Sequence, residues 1–366
     1  MSIFTRIYSP RDYSLTGESR AHAEEIGLAS AEWYHSDVPR KQMKELMQRK
    51  DGPAIRDTVI WLGLLVLTGI GGSLFWGSWA CVPFFFVYGL LYGSACDSRW
   101  HEAGHGTAFK TPWMNDGVYQ IASFMVMRNP TTWRWSHARH HTNTIIVGLD
   151  PEIGFMRPPR IVMAALNFIG IPFIFYDLRT LARHAFVGLN EGEKTYIPES
   201  ERHKAVFWAR LHMGIYAATI LLAIGLQSWL PLMLIGGPRI YGCWHMYMTG
   251  LIQHGGLAED VVDHRLNSRT VYMNPISRWL YWNMNYHVEH HMFPMVPYHA
   301  LPRLHEVIKH DLPAPNPSIF AAYVEMTRAL LRQRKDPTHY ARKALPATAR
   351  PYRDEFHEIE VAREGV

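Results

Sequence analysis

Three clusters of histidine constrain the fold of this chain more than any other feature of its sequence. They are His101-Glu-Ala-Gly-His105, His137-Ala-Arg-His140-His141 and His287-Val-Glu-His290-His291. On a helix, residues three or four apart share a face, so each cluster directs its imidazoles to one side. With 21 histidines in 366 residues, about 0.07 copies of the HxxHH pattern are expected by chance, and the chain has two. We therefore expect a fold that brings the three clusters together as ligands of one metal centre.

The number of histidines indicates more than one metal ion. Eight imidazoles are too many for a single tetrahedral zinc, and imidazole suits iron, zinc or copper. A neutral imidazole binds metal through one ring nitrogen and donates its other N–H to a carboxylate or a carbonyl. Four acidic residues lie close to the clusters in the sequence and are predicted to accept these bonds: Asp97, Glu102, Asp150 and Glu289.

The composition favours a protein embedded in a membrane. Aromatic residues reach 13% and charged residues only 19%, against a usual charged fraction of about 25%. Residues 58–96 form an uncharged run, which is long enough for two membrane-crossing helices of about 20 residues each. We predict four spans in two hairpins, at 58–77, 79–98, 206–226 and 230–252.

Charge predicts how these spans are oriented. Lys and Arg concentrate before the first hairpin, between the hairpins and after residue 253, and the positive-inside rule places those regions in the cytoplasm. All three histidine clusters then lie on the cytoplasmic side. Arg239 interrupts the fourth span and is expected to face protein or to snorkel. Residues 161–176 are too short to cross and are predicted to lie in the membrane interface.

The net charge indicates which classes of partner the chain is expected to bind. The formal charge is +5 and no dense Lys/Arg tract is present, so we expect an anionic membrane face or an acidic redox partner and no nucleic acid. The three cysteines, Cys81, Cys96 and Cys243, are far apart and form no CxxC pair. This spacing excludes a local iron–sulfur or zinc-ribbon motif.

The HxxxH, HxxHH, HxxHH series, set between two membrane hairpins, resembles the integral-membrane fatty-acid desaturase and hydroxylase family over about residues 55–310. The resemblance implies a di-iron centre at the cytoplasmic surface, where O2 and two electrons are used to attack an unactivated C–H bond. It also implies a further histidine between the second and third clusters, which His254 matches. No catalytic side chain beyond the metal ligands is then expected. The candidate ligands are His101, His105, His137, His140, His141, His254, His287, His290 and His291.

The resemblance completes the expected architecture. It is an all-α membrane protein of four transmembrane helices in two hairpins, with a cytoplasmic helical cap that carries the histidine-rich di-iron site. Residues 1–56 are predicted to be a cytoplasmic N-terminal segment, 57–310 the membrane domain and 311–366 a cytoplasmic tail. Asn283-Met-Asn-Tyr-His287 and Met292-Phe-Pro-Met-Val-Pro-Tyr298, on either side of the third cluster, resemble a bacterial subgroup of hydrocarbon oxygenases and small-molecule desaturases, which implies the bacterial inner membrane.

The chain departs from the animal acyl-CoA desaturases in two ways. Its first cluster is HxxxH rather than HxxxxH, and it has no HPGG haem motif. Electrons are therefore expected from a separate protein, a ferredoxin with its reductase. The substrate stays open between a fatty-acyl or alkyl lipid and a small metabolite, and the reaction stays open between desaturation, hydroxylation and dealkylation.

Two other functions compete with this interpretation. Residues 101–105 read HExxH, the signature of zinc metalloproteases with Glu102 as general base, although a protease does not explain two HxxHH clusters. A histidine-rich metal transporter or sensor is also conceivable, but its ligands belong inside the spans. Three further histidines, His299, His305 and His310, follow the third cluster and are expected on a solvated face.

Overall fold

The protein is all-helical in this computed structural model, which describes residues 11–357. Among those residues, the only β-type pairing consists of two isolated bridges, Thr270 to Tyr286 and Val271 to Asn316. The ends of the predicted N-terminal segment and tail, residues 1–10 and 358–366, lie outside the described part. The helices are α1 (Glu18–Glu25), α2 (Arg40–Leu46), α3 (Asp51–Leu74), α4 (Cys81–Gly89), α5 (Cys96–Gly104), α6 (Pro112–Met125), α7 (Pro130–Thr142), α8 (Ile161–Leu166), α9 (Ile171–Phe186), α10 (Glu191–Lys194), α11 (Glu199–Gly225), α12 (Leu230–Leu234), α13 (Pro238–Tyr241), α14 (Trp244–His254), α15 (His264–Asn267), α16 (Pro275–Leu280), α17 (His287–Met292), α18 (Leu301–Ile308) and α19 (Ile319–Gln333).

Two helical stretches in the described residues are long and apolar enough to cross a membrane. They are Arg40–Leu74, which contains α3, and Glu199–Gly225, which is α11. Each buries small and aromatic residues on one face, such as Trp61 on α3, and exposes leucine and isoleucine on the other. This one-sided burial is what a helix between protein and lipid requires.

The second predicted span is a helical run from Cys81 to Gly104. A π-helical segment, Leu90–Ala95, joins α4 to α5 within it. Gly77, with φ +87°, lies in the turn between α3 and this run, a conformation that glycine adopts without steric cost. The first histidine cluster lies at the end of α5, directly after the wide π-helical turns. Such turns are frequent at functional sites.

The fourth predicted span differs from the expectation because it is broken into α12, α13 and α14. Gly236, with φ +82°, and Pro238 at the start of α13 lie at the break between α12 and α13. The second break, between α13 and α14, lies at Gly242 and Cys243. Gly242 crosses Gly89 so closely that a Cβ at residue 242 would lie 1.9 Å from the Gly89 carbonyl oxygen. Close contact with the second helical run therefore requires glycine at residue 242.

Arg239 in this broken segment faces protein, which is one of the two alternatives predicted for it. Its side chain is fully buried and lies 3.3 Å from the Asp177 carboxylate of α9. Its guanidinium also packs over the ring of Phe173. An ion pair with excellent packing offsets part of the cost of burying both charges.

Residues 161–186, which include the predicted interfacial piece, form a bent helix pair. Ile161–Ile169 and Ile171–Phe186 meet at 87°, and the pair counts as a third candidate span only if it crosses as one unit. Gly170 lies at the bend with φ +70°. A side chain does not fit there, because a Cβ would lie 2.5 Å from the carbonyl oxygen of Arg239.

The N-terminal and C-terminal parts of the described chain contact each other. The N-terminal segment is tied to the C-terminal part where the hydroxyl of Tyr34 donates to Asp311 at 2.6 Å. The buried Arg265 guanidinium donates to Asp263 at 2.7 Å and to the carbonyl of Pro351 at 2.8 Å. Tyr34 thus contacts a residue that follows the third histidine cluster, and Pro351 contacts a residue that precedes it.

Candidate metal centre

All nine predicted ligand histidines converge in one buried region. Their positions in the fold are the last turn of α5 and the residue after it, the second half of α7, the last residue of α14, and α17. Four separate stretches of the chain therefore supply the rings, as the predicted shared centre requires. Metal binding by these side chains stays a prediction, and the geometry below is the basis for it.

The rings divide into two groups. In the five-histidine group the ligand nitrogens all lie within 4.8 Å of one another; its members are His101, His105, His137, His141 and His290. The four-histidine group starts from His140, His254 and His291, which meet the same distance limit. His287 joins it because its Nε2 lies 3.0 Å from the Nε2 atoms of both His254 and His291.

The spacing of the nitrogens fits two ions. In the five-histidine group the Nε2 atoms of His137 and His105 are 3.1 Å apart, and those of His290 and His101 are 3.2 Å apart. Two nitrogens bound to one ion by bonds of about 2.1 Å lie about 3.0 Å apart at a right angle and about 3.4 Å apart at a tetrahedral angle. The observed separations fall between these values, and each group offers four or five nitrogens.

The opposite nitrogen of several rings is held by the protein. The Nδ1 of His140 donates to Asp150 at 2.8 Å, and that of His137 donates to Glu152 at 3.0 Å. His254 donates from Nδ1 to the carbonyl of Asn267 at 2.7 Å. These bonds fix the tautomer that leaves Nε2 unprotonated and directed at the other rings. Orientation of this kind is characteristic of metal-binding histidines.

Burial also keeps the rings in the form that binds metal. It lowers the pKa of His137, His290 and His291 well below the usual histidine range, and neighbouring imidazoles lower it further. Burial lowers the pKa of His105 to about 4. His140 differs: burial acts to lower its pKa, but the Asp150 carboxylate more than offsets this and raises it. Neutral imidazole is the ligand form, so most of the site is ready to bind at neutral pH.

The acidic residues predicted to hold the ligands have mixed outcomes. Asp150 accepts from His140, in the predicted manner. Asp97 instead pairs with Arg128 at 2.7 Å, and Glu289 pairs with His305. Neither carboxylate is hydrogen-bonded to a ligand ring, so this part of the prediction differs from the structure.

Glu102, the fourth predicted acid, is also bonded away from the rings. It accepts from the Thr107 hydroxyl at 2.8 Å and from the backbone N–H of Tyr298 at 3.0 Å. Its side chain is fully buried, and burial raises its pKa to about 7. Because its carboxylate is bonded to Thr107 and Tyr298 rather than directed at the histidine rings, its position does not match the general base of the alternative protease.

Other residues that position the ligands were missed by sequence reasoning. Glu152 and Thr144, whose hydroxyl lies 3.1 Å from the His291 Nδ1, come from the loop after α7. Their only sequence signal is proximity to the second cluster. His305, expected on a solvated face, is buried between Glu289 and the Tyr272 hydroxyl, which lies 2.9 Å from its Nε2. The polar partners of its two ring nitrogens explain this burial.

A cavity of about 430 Å³ reaches the centre. Five of the nine histidines line its inner end: His101, His137, His140, His254 and His287. Its walls are mixed, with the aromatic rings of Trp133 and Tyr247 and the polar side chains of Thr180 and Glu193. This volume is in the range of small-molecule sites.

The fold and this centre define a helical membrane protein with histidine clusters that could hold metal ions. A sequence model of the fatty acid desaturase family matches residues 77–323. The match covers most of the chain and all nine histidines, and the chain belongs to the fatty acid desaturase family. Family membership makes it an oxidoreductase and does not support the protease alternative.

Its similarity to individual curated enzymes is low. The sphingolipid delta(4)-desaturase/C4-monooxygenase DES2 of Mus musculus is 23% identical over 297 residues, which is 75% of this chain and 83% of that enzyme. A fatty acid desaturase of Bacillus subtilis is 24% identical over 56% of this chain and 62% of its own length. The sn-1 oleoyl-lipid 12-desaturase of Synechocystis sp. is 26% identical, and this chain matches only 32% of its length.

Proposed function

We propose that the protein is a membrane di-iron oxidase that uses O2 to desaturate or hydroxylate an unactivated C–H bond. The observation that carries the proposal is the convergence of nine histidines in two groups, with Nε2 atoms 3.0–3.2 Å apart. An all-imidazole set suits iron, and two ions match the two groups. When bound, the iron pair supplies the reduction of O2 that removes hydrogen from carbon.

The chain's own residues supply orientation around that chemistry. Asp150 and Glu152 hold His140 and His137 by their Nδ1 atoms and so keep Nε2 aimed inward. The Asn267 carbonyl does the same for His254. The cavity brings a substrate carbon against the inner rings, and its placement there decides between loss of a second hydrogen and hydroxylation.

The cavity walls favour an amphipathic substrate. An alkyl segment fits against the rings of Trp133 and Tyr247, whereas a polar group fits near Thr180 and Glu193. A fatty-acyl or alkyl lipid and a small metabolite with an alkyl part both meet this description. The name of the mouse relative, a desaturase and monooxygenase, supports testing both reactions.

We further propose the predicted arrangement in the membrane: four spans in two hairpins, with the centre on the cytoplasmic side of a bacterial inner membrane. The broken segment α12–α14 would be the return span of the second hairpin. The two electrons would come from a separate ferredoxin with its reductase. The concentration of Lys and Arg outside the proposed spans supports this orientation.

Metal analysis combined with product analysis tests the function. The full chain, purified in detergent, is expected to bind two irons and to consume O2 with reduced ferredoxin and a panel of acyl lipids and small metabolites. The variant His290→Ala should lose iron and activity, because it removes a ligand of the five-histidine group. His310→Ala is the matched control, since His310 is exposed. One zinc per chain, or full turnover by His290→Ala, would refute the proposal.

A further inference from the structure

A groove lies beside the third histidine cluster, on the surface formed by the N-terminal segment. It encloses about 600 Å³. It is lined by the apolar side chains of Met43, Met47 and Phe293 and by the cations Arg40 and Lys44. The acid in its lining, Asp37, is paired with Arg350. Phe293 follows directly on α17, which carries three candidate ligands. The groove thus adjoins the helix of the third cluster.

The helix beside the groove is strongly basic. Residues 40–50 contain five cations and one carboxylate. Arg40, Lys41, Lys44, Arg49 and Lys50 are all exposed. In the part of the chain that the structure describes, none of these five is within ion-pair distance of an acid. A cluster of unpaired charge of one sign attracts partners of the opposite sign and speeds their association.

Stacked rings connect this surface with the centre. The half-buried Trp33 stacks on His264 with ring centroids 4.3 Å apart and planes 10° apart. His264 in turn lies 5.2 Å, centroid to centroid, from the candidate ligand His291. The Nδ1 of His35, which lines the groove, lies 2.9 Å from the carbonyl oxygen of Trp33. Groove and ring stack are therefore neighbours.

The proposed function requires electrons from outside the chain, and the inference rests on it. Desaturation consumes one O2, two electrons and two protons, forms one C=C bond and releases two waters. Hydroxylation with the same inputs gives one alcohol and one water. A reduced iron–sulfur protein gives up one electron at each encounter, so two encounters serve each O2. The chain's three cysteines are too dispersed in sequence to form a local cluster motif.

We infer that the groove of residues 35–47 with Phe293 docks a small acidic iron–sulfur protein, and that Trp33 and His264 form the route for its electrons to His291. The basic rim supplies charge complementarity and the apolar side chains supply contact area. An anionic lipid surface would also attract the basic helix. Binding to a lipid surface would not need a concave apolar groove or a ring stack that leads to a candidate ligand. These two features therefore favour the protein partner.

Charge substitution tests the docking surface. The triple variant Arg40→Glu, Lys41→Glu, Lys44→Glu keeps Arg49 and Lys50 for membrane insertion. Its probe is a plant-type [2Fe–2S] ferredoxin, with the full chain in nanodiscs of zwitterionic lipid. At low ionic strength the association rate should fall by about 10- to 1,000-fold, and the loss should shrink at high salt. The corresponding triple glutamine variant should show a smaller loss of the same sign.

A matched control comes from the end of α19. Arg332, Arg334 and Lys335 are also exposed and, within residues 11–357, make no ion pair. Their replacement by glutamate should leave ferredoxin binding unchanged. Native binding by the groove variant would overturn the proposal. So would a defect that appears only as weaker stability in nanodiscs of anionic lipid, because that result assigns the basic helix to the membrane.

The ring stack has its own test. Trp33→Leu should slow the oxidation of reduced ferredoxin in stopped flow without changing the ferredoxin Kd or the iron content. Trp33→Phe should restore much of the rate because it keeps an aromatic ring. Reduction of the centre by dithionite should be equal in all three proteins. If Trp33→Leu oxidised ferredoxin as fast as the unsubstituted protein, the proposed route would be refuted. If the unsubstituted protein bound no iron, the proposed function itself would be refuted.

Discussion

The carboxylate of Asp150 offers the sharpest test of how the centre is held. It is fully buried and accepts three hydrogen bonds. The His140 Nδ1 donates to Oδ2 at 2.8 Å, the Ile145 backbone N–H donates to the same oxygen at 2.7 Å, and the Glu152 backbone N–H donates to Oδ1 at 2.8 Å. One side chain therefore fixes both a candidate ligand and the loop that supplies Glu152.

The variant Asp150→Asn keeps the shape of the side chain and replaces one of its two acceptor oxygens by an NH2 group. If its amide oxygen faces His140 and Ile145, its NH2 group faces the backbone N–H of Glu152, so that partly buried donor loses its acceptor. Loss of the charge also weakens the bond to His140, and such charge-assisted bonds contribute about 1.5–3 kcal/mol. Removing a partner of this kind typically lowers metal affinity by about 10- to 100-fold, or about 1.4–2.7 kcal/mol.

Iron titration of the metal-free chain against a chromophoric chelator measures the effect. We expect two binding events in the native protein. In Asp150→Asn the event assigned to the four-histidine group should weaken most, and the other event should weaken less, because Asp150 also holds the backbone of Glu152, the partner of His137. Asp116→Asn is the control, because that carboxylate is exposed and, among the described residues, forms an ion pair with Arg134 alone, at 3.0 Å. Unchanged affinity at both sites would show that His140 needs no fixed orientation or is not a ligand.

Three further predictions concern stability and iron content. Glu289→Gln should destabilise the fold by about 1–3 kcal/mol yet keep two irons, because the buried carboxylate serves His305 rather than a ligand; loss of iron would contradict this. Gly242→Ala should lower the melting temperature, since overpacking costs about 1–3 kcal/mol and its Cβ would meet the Gly89 carbonyl at 1.9 Å. Gly63→Ala, with open space around it, should not. Chelation should lower the melting temperature reversibly, because metal present at 100 times its Kd contributes about 2.7 kcal/mol to the stability of the fold. An unchanged melting temperature would argue against a bound metal.

The convergence of the histidines could be predicted because helical periodicity and charge act together. A spacing of three or four residues puts the rings of one cluster on one face of a helix. His254 was reached differently, through the family resemblance, and the structure places it at the end of α14 beside His287. Two of the four expected spans also correspond to long apolar helices.

The residues that hold the ligands could not be predicted in the same way. Glu102 is adjacent to His101 and Glu289 is adjacent to His290, and consecutive helical residues face different directions. Their carboxylates therefore point away from the ligand nitrogens. Glu152 reaches His137 from a loop that folds back on α7. Such a return depends on tertiary packing rather than on periodicity.

The broken fourth span shows that apolar composition alone does not predict where a helix breaks. Residues 230–252 are apolar enough to be taken as one span, yet their glycines and prolines allow three short helices. The Gly89–Gly242 contact and the buried Arg239 both lie in this broken segment, and both depend on partners more than 60 positions away in the sequence. A window of hydropathy contains no information about such partners.

The two proposed routes reach the centre from different sides. The cavity is lined by His140, His254 and His287 of the four-histidine group but not by His291, whose ring instead contacts His264. Trp33 lies on the N-terminal segment and contributes nothing to the cavity wall. Occupation of the cavity by substrate therefore leaves the proposed docking surface free. Because each turnover needs two encounters with a one-electron donor, this separation lets the substrate stay in place while the donor exchanges.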